Sequence, residues 1–123
     1  MSPITNEPDI ALDHALIREM VDGIGAESTR ELMEIYSKET RGRSDELRTL
    51  YNEKNLPELK RSAHSLKGAS RTYGITTLAD VASELEKAAD AQDLAKAEPL
   101  LVWIEQNTEI ALAELASFVE KEL

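Results

Sequence analysis

Residues 63–74 read AHSLKGASRTYG and place a histidine, a lysine and a glycine at positions 64, 67 and 68. On a helix these three share a ridge with Lys60 and Arg71, because residues three and four apart are surface neighbours. Neutral imidazole is a nucleophile, and its charge changes near neutral pH. A phosphoryl group on one ring nitrogen would bring its oxygens within reach of Lys67, a point-charge donor suited to phosphate. Gly68, one turn beyond His64, offers bare backbone where a Cβ would meet an incoming phosphoryl donor. Inside a helix that glycine costs about 1 kcal/mol against alanine, so the space it leaves calls for a reason.

Arg61 and Lys60 lie before His64, and Lys67 and Arg71 after it. Stacked cations of this kind repel mildly and become favourable once a dianion sits among them; meanwhile they disfavour the imidazolium. The chemistry also needs a group that fixes the second ring nitrogen as a donor. Glu86 fits, four after Ala82 and one after Leu85, at the edge of the next helix's inner face. Singly, each residue has a plainer reading. His64 suits a packed or exposed structural histidine, Gly68 a close helix contact, Lys67 and Arg71 a solvated face, and Glu86 a surface charge. Spacing alone does not choose between these readings and a phosphate-handling histidine.

The surrounding composition narrows the field. The chain has 123 residues, 41% of them hydrophobic and 31% charged, with a net charge of −10. It fits one domain. Residues 59–79 hold four bases and no acid, while the stretches before and after are both net acidic. An anion is welcome in that window. With no cysteine there is no disulfide, thiolate nucleophile or Cys-based metal site. No apolar run approaches a membrane span, and MSPITNEPD lacks the features of a secretory signal. A soluble, cytoplasmic protein is the expectation, and the initial Met without a linker reads as a stand-alone protein.

Five segments carry helical periodicity, and none alternates as a strand would. Residues 1–8 read as a flexible arm and 9–123 as one helical domain. Asp13 caps a short helix from His14 to about Val21, ended by Gly23 and Gly25. A second helix spans about Ala26 to Asn52, with Leu32, Ile35, Tyr36, Leu47, Leu50 and Tyr51 as its stripe. Its centre, KETRGRSDE, is polar all round, and Gly42 there weakens the case for an unbroken helix. Pro57 suits the first turn of a third helix. Leu59, Ala63, Leu66, Ser70 and Tyr73 form its core face, and Gly74 ends it. Thr76 or Thr77 caps a fourth, running to about Ala91 with Leu78, Ala82, Leu85 and Ala89 inward. Asp93 starts the last segment, in which Pro99 requires a restart near Glu98 or a kink. The stripe there is Leu101, Ile104, Thr108, Ala111, Leu115 and Phe118. The expected fold is all-α: an antiparallel four-helix bundle with a short additional N-terminal helix.

AHSLKGASRTYG followed by ITTLADVASELEKAA resembles the histidine-containing phosphotransfer (HPt) domain of two-component phosphorelays. That family's pattern is roughly A-H-x-L-K-G-x-[SA]-x-x-x-G, a Leu four residues later, and an L-[EQ] pair on the next helix. The chain matches at Ala63, His64, Leu66, Lys67, Gly68, Ser70, Gly74, Leu78, Leu85 and Glu86. The resemblance implies that His64 is phosphorylated at its solvent-facing nitrogen. Lys67 would steady the phosphoryl oxygens, Gly68 would clear the approach, and Glu86 would accept from the other nitrogen. Lys60, Arg61, Ser65 and Arg71, around His64 on the same helix, are the expected binding neighbours. The resemblance further implies receiver domains or a hybrid histidine kinase as partners, a Mg²⁺ ion supplied by the receiver, and no kinase chemistry or cofactor of its own. Departures are Tyr36, where the family often has Phe, the bulkier Arg71 and Tyr73, and Pro99; they bear on the last helix and on partner choice.

Rival readings are weaker. A nucleic-acid binder would use the same four cations on phosphates, but a charge of −10 opposes it. With only two histidines, and no E-x-x-H pattern, a metal enzyme has little to build on. A helical adaptor that binds signalling proteins without phosphoryl transfer is the stronger alternative. A monomer is the default expectation for a closed four-helix layout.

Overall fold

Asp13 accepts from the backbone N–H of Leu16 at 3.1 Å and so caps α1 (His14–Ile24). The computed structural model describes residues 9–122; the expected arm at 1–8 lies outside them. Gly23 does not end α1, which continues one residue further and stops at Gly25, whose φ of 90° is left-handed. α2 (Ala26–Asn52), α3 (Leu56–Thr72), α4 (Thr76–Asp90) and α5 (Leu94–Glu122) follow. α2 neighbours α3 and α5, and α4 neighbours the same two, while the diagonal pairs stay apart. The result is the expected four-helix bundle, with α1 laid against α2 and α5.

Tyr36 of α2 meets Ser70 of α3, and Arg43 meets Ser62, so numbers rise on one helix as they fall on the other. α2 runs antiparallel to α5 by the same test. Arg30 pairs with Glu120, Arg41 with Glu109, and Arg48 with both Glu105 and Glu98. These pairs explain why α2 is unbroken through its polar centre: its arginines reach across to α5. Gly42 sits inside the helix with nothing within 4 Å of where a Cβ would stand.

The α3 and α4 stripes are buried as expected, apart from Tyr73, which is half-buried and stacked on Tyr36 at 4.7 Å between ring centroids. The α2 stripe needs correction. Its buried positions are Thr29, Met33, Tyr36, Thr40 and Leu47, whereas Ile35 is 53% exposed and Leu32, Leu50 and Tyr51 are only partly covered. Two buried threonines fit because their hydroxyls donate back to carbonyls four residues earlier, Thr29 to Gly25 and Thr108 to Ile104.

Three joints hold the site's helices in place. Asn55 caps α3 through Glu58 N–H, and Pro57 stands in its first turn. Gly74, at φ 81°, closes α3: Ile75 N–H donates to Ser70 and Gly74 N–H to Arg71, a Schellman ending. A Cβ there would stand 3.0 Å from the buried Ile17, which explains the glycine a second time. Neither Thr76 nor Thr77 caps α4. Ile75 holds the cap position, and the Thr77 hydroxyl instead accepts from Ala11 N–H at 2.7 Å, tying the segment before α1 to the α3–α4 turn. Asp93 caps α5 through Lys96 N–H, and α5 continues through Pro99 without a restart. The carbonyl that Pro99 cannot serve belongs to the exposed Ala95.

Candidate functional site

α3 and α4 are joined by a turn of a few residues, so they pack antiparallel along most of their length. Their seam brings His64 and Lys67 from α3 against Glu86 from α4. Nδ1 of His64 lies 2.8 Å from Oε2 of Glu86, and Nζ of Lys67 lies 2.6 Å from Oε1 of the same carboxylate. Each carboxylate oxygen thus serves one donor. The Lys67 ammonium, and secondarily the His64 ring, hold the Glu86 carboxyl below the usual carboxylate range against the opposing pull of partial burial.

An ionised carboxylate only accepts hydrogen bonds, so Nδ1 of His64 carries the proton. In the neutral ring that leaves Nε2 with its lone pair. The His64 side chain is 65% exposed, so its free nitrogen belongs to a ring that stands mostly in solvent. Beside it a recess of about 440 Å³ is lined by Pro57, Lys60, Arg61, His64 and Glu86. One turn further along α3 lies Gly68, where an added Cβ would find nothing within 4 Å among the described residues. That observation removes the close-helix-contact reading: no neighbour among the described residues needs the space. The arrangement offers a nucleophilic nitrogen, fixed in one tautomer, on a face open to a second molecule.

Residues 31–120, well over half of the chain, match the Hpt domain family. The chain belongs to that family. Among solved structures, this Hpt domain is similar to the histidine-containing phosphotransfer protein B (HptB) from Pseudomonas aeruginosa PAO1. The TM-score is 0.83 at 22% identity, covering 90% of this chain and 96% of that one. At that identity the likeness speaks for the helical fold. No curated protein gives a match. Family membership carries a histidine phosphotransfer role in two-component signalling, as a carrier and not a kinase, alongside receiver domains and kinases.

The other residues singled out in the sequence fall into place unevenly around this Hpt site. The cluster of free cations expected around His64 is not what the fold builds. Lys60 pairs with Asp90 at 2.9 Å, Arg61 with Glu58 at 3.3 Å, and Lys67 with Glu86. The window is free of acids along the chain, but the antiparallel neighbour supplies two of them across the seam. Arg71 is exposed and takes no ion pair among the described residues. Ser65 points to the α2 side, where it borders a small recess of about 150 Å³ with Glu39, Arg43 and Ala69. Sequence reasoning missed Asp90. A signal existed, since Asp90 lies four after Glu86 just as Lys60 lies four before His64, and antiparallel helices bring such residues together. Among the described residues no group of three or more His, Asp or Glu is placed to hold a metal, and no helix is long and apolar enough to cross a membrane.

Proposed function

We propose that His64 carries a phosphoryl group between signalling proteins. It takes the group at Nε2 from the phosphorylated aspartate of a receiver domain, or from a hybrid histidine kinase, and passes it to the aspartate of another receiver. The observation that carries this reading is the single carboxylate, Glu86, holding Nδ1 of a largely exposed imidazole. On acceptance the Nε2 lone pair attacks phosphorus. The N–P bond forms as the P–O bond to the aspartate breaks, and the carboxylate leaves. The ring gains positive charge as the new bond forms, and the Glu86 carboxylate on Nδ1–H offsets it. Donation is the same sequence reversed, with the receiver carboxylate as nucleophile.

In this reading the receiver supplies Mg²⁺ and most of the catalytic groups. This chain supplies a positioned nitrogen, the clearance at Gly68, and no cofactor or nucleotide site. It acts as a cytoplasmic monomer, without nucleic acid or membrane as partner. Incubation with a phosphorylated receiver tests the proposal, with His64→Gln as control. The expected result is acid-labile, base-stable phosphate on the wild type alone. Equal labelling of both proteins, or of neither across the receivers of the source organism, would reject it.

A further inference from the structure

Lys60, Arg61 and Lys67 meet Asp90, Glu58 and Glu86 at 2.9, 3.3 and 2.6 Å, so these three cations around His64 are neutralised within the chain. Arg43, beside the smaller recess, is paired with Glu46 at 3.3 Å. Arg71 and Glu39 differ. Both are exposed, and neither takes an ion pair or a side-chain hydrogen bond among the described residues. Arg71 lies seven residues beyond His64, two turns along the same ridge of α3 and about 10 Å away along its axis. Glu39 belongs to α2 and lines the smaller recess with Ser65 and Ala69, which follow His64 and Gly68 directly in the chain. An uncompensated cation beyond Gly68 and an uncompensated anion on the α2 flank give the His64 face a polarity.

We infer that Arg71 and Glu39 are specificity-determining residues of this face: they select receivers that carry a carboxylate opposite Arg71 and a cation opposite Glu39. This deepens the proposed function and rests on His64 exchanging phosphoryl groups with receivers. A paired charge presents a dipole whose field falls away quickly, whereas a lone charge acts across a Debye length, about 10 Å at 0.1 M salt. Encounter is therefore steered by the charges that the fold leaves uncompensated. Two opposite charges at separate points also reject a receiver whose own charges are reversed, because like charges would then face each other. Neither side chain belongs to the His64–Glu86–Lys67 cluster, so the pair acts on encounter and not on the chemical step. Arg71 also stands in the last turn of α3, where a cation favours the helix dipole. That role is structural and indifferent to which receiver approaches.

Labelling of His64 by a panel of phosphorylated receivers from the source organism, followed against salt, separates the two roles. For the receiver that labels the wild type fastest, Arg71→Gln should lower the bimolecular rate constant about fivefold at low salt, the worth of two unit charges about 4 Å apart in water. The rate at saturating receiver should stay unchanged, and Arg71→Lys should restore most of the loss. In about 1 M salt, where screening acts within about 3 Å, the deficit should close. Lys38→Gln makes the same charge change on the α2–α5 face and should have little effect. Arg71→Glu combined with Glu39→Arg keeps the net charge at −10 and reverses the polarity, so it should slow the preferred receiver and reorder the panel. Three results would each overturn the inference: an unchanged rate constant for Arg71→Gln at low salt, a deficit that persists in high salt, or the wild type's order of receivers in the reversed variant. Melting curves show each variant folded, and if the reversed one does not fold, Arg71→Gln with Glu39→Gln is read by the same criteria. Labelling that ignores both residues sinks this inference alone, whereas no labelling of the wild type by any receiver sinks the proposed function and this inference with it.

Discussion

The hydroxyls of Tyr36 and Ser70 lie 2.9 Å apart in the interior, joining α2 to the helix that bears His64. Both residues are almost wholly enclosed, and burial holds the Tyr36 phenol above its ordinary pKa. A shared hydrogen bond of this kind is expensive to halve, since the remaining hydroxyl is left unsatisfied at about 1–3 kcal/mol. Tyr36→Phe should therefore lower stability by about 1 kcal/mol, although phenylalanine fills the same space. Ser70→Ala should cost a similar amount, and the double variant should lose clearly less than the two singles together. Urea unfolding of the four proteins measures the coupling. Strictly additive losses would mean that the bond carries no weight.

Gly68 separates stability from function. It lies in the interior of α3 with nothing within 4 Å of a virtual Cβ, so alanine meets no clash. Helix propensity alone then predicts that Gly68→Ala raises stability by about 0.5–1 kcal/mol. Gly42, equally unencumbered within α2, should respond alike and serves as the stability control. If the space beside His64 admits a partner's active site, Gly68→Ala should slow transfer from a phosphorylated receiver, and Gly68→Gln should slow it further. Denaturant midpoints and transfer rates on the same samples decide it. Undiminished transfer by Gly68→Gln would leave that glycine without its assigned purpose.

Much of this was legible in the chain because the information is local. Asp13, Pro57 and Gly74 punctuate helices through backbone chemistry that depends on the residue itself and its immediate neighbours. The stripe of α3 and the ridge beside it follow from helical spacing, and so His64, Lys67 and Gly68 share a face. What stayed hidden depends on which helix lies opposite. Nothing near Lys60 in sequence announces Asp90, and the acid-free window suggested bare cations where the fold makes ion pairs. The same cause hid the continuity of α2, whose polar centre is stabilised by glutamates some sixty residues away on α5. Ile35 misled for a different reason: it adjoins the buried Tyr36 in the sequence but lies one step further round the helix, on the exposed side.

The Glu86 carboxylate makes the site's contribution to stability dependent on acid. Its folded pKa lies below the ordinary value, chiefly through Lys67. A depressed carboxyl stabilises the fold fully above the unfolded-state value, about 4.3, and loses that contribution as pH falls through the folded value. Glu86→Gln removes the titration while keeping the shape and an oxygen for Nδ1–H. The wild type should therefore exceed the variant in stability at neutral pH, and the gap should narrow as pH drops below about 4.3. Glu105, Glu109 and Glu120 are depressed by their arginine partners as well, but both proteins share them, so their effects largely cancel in the difference. Urea midpoints of the pair between neutral and acidic pH provide the test. A gap that stays constant across that range would mean that Glu86 is not held ionised by Lys67, and with it would go the reason for assigning the proton to Nδ1 of His64.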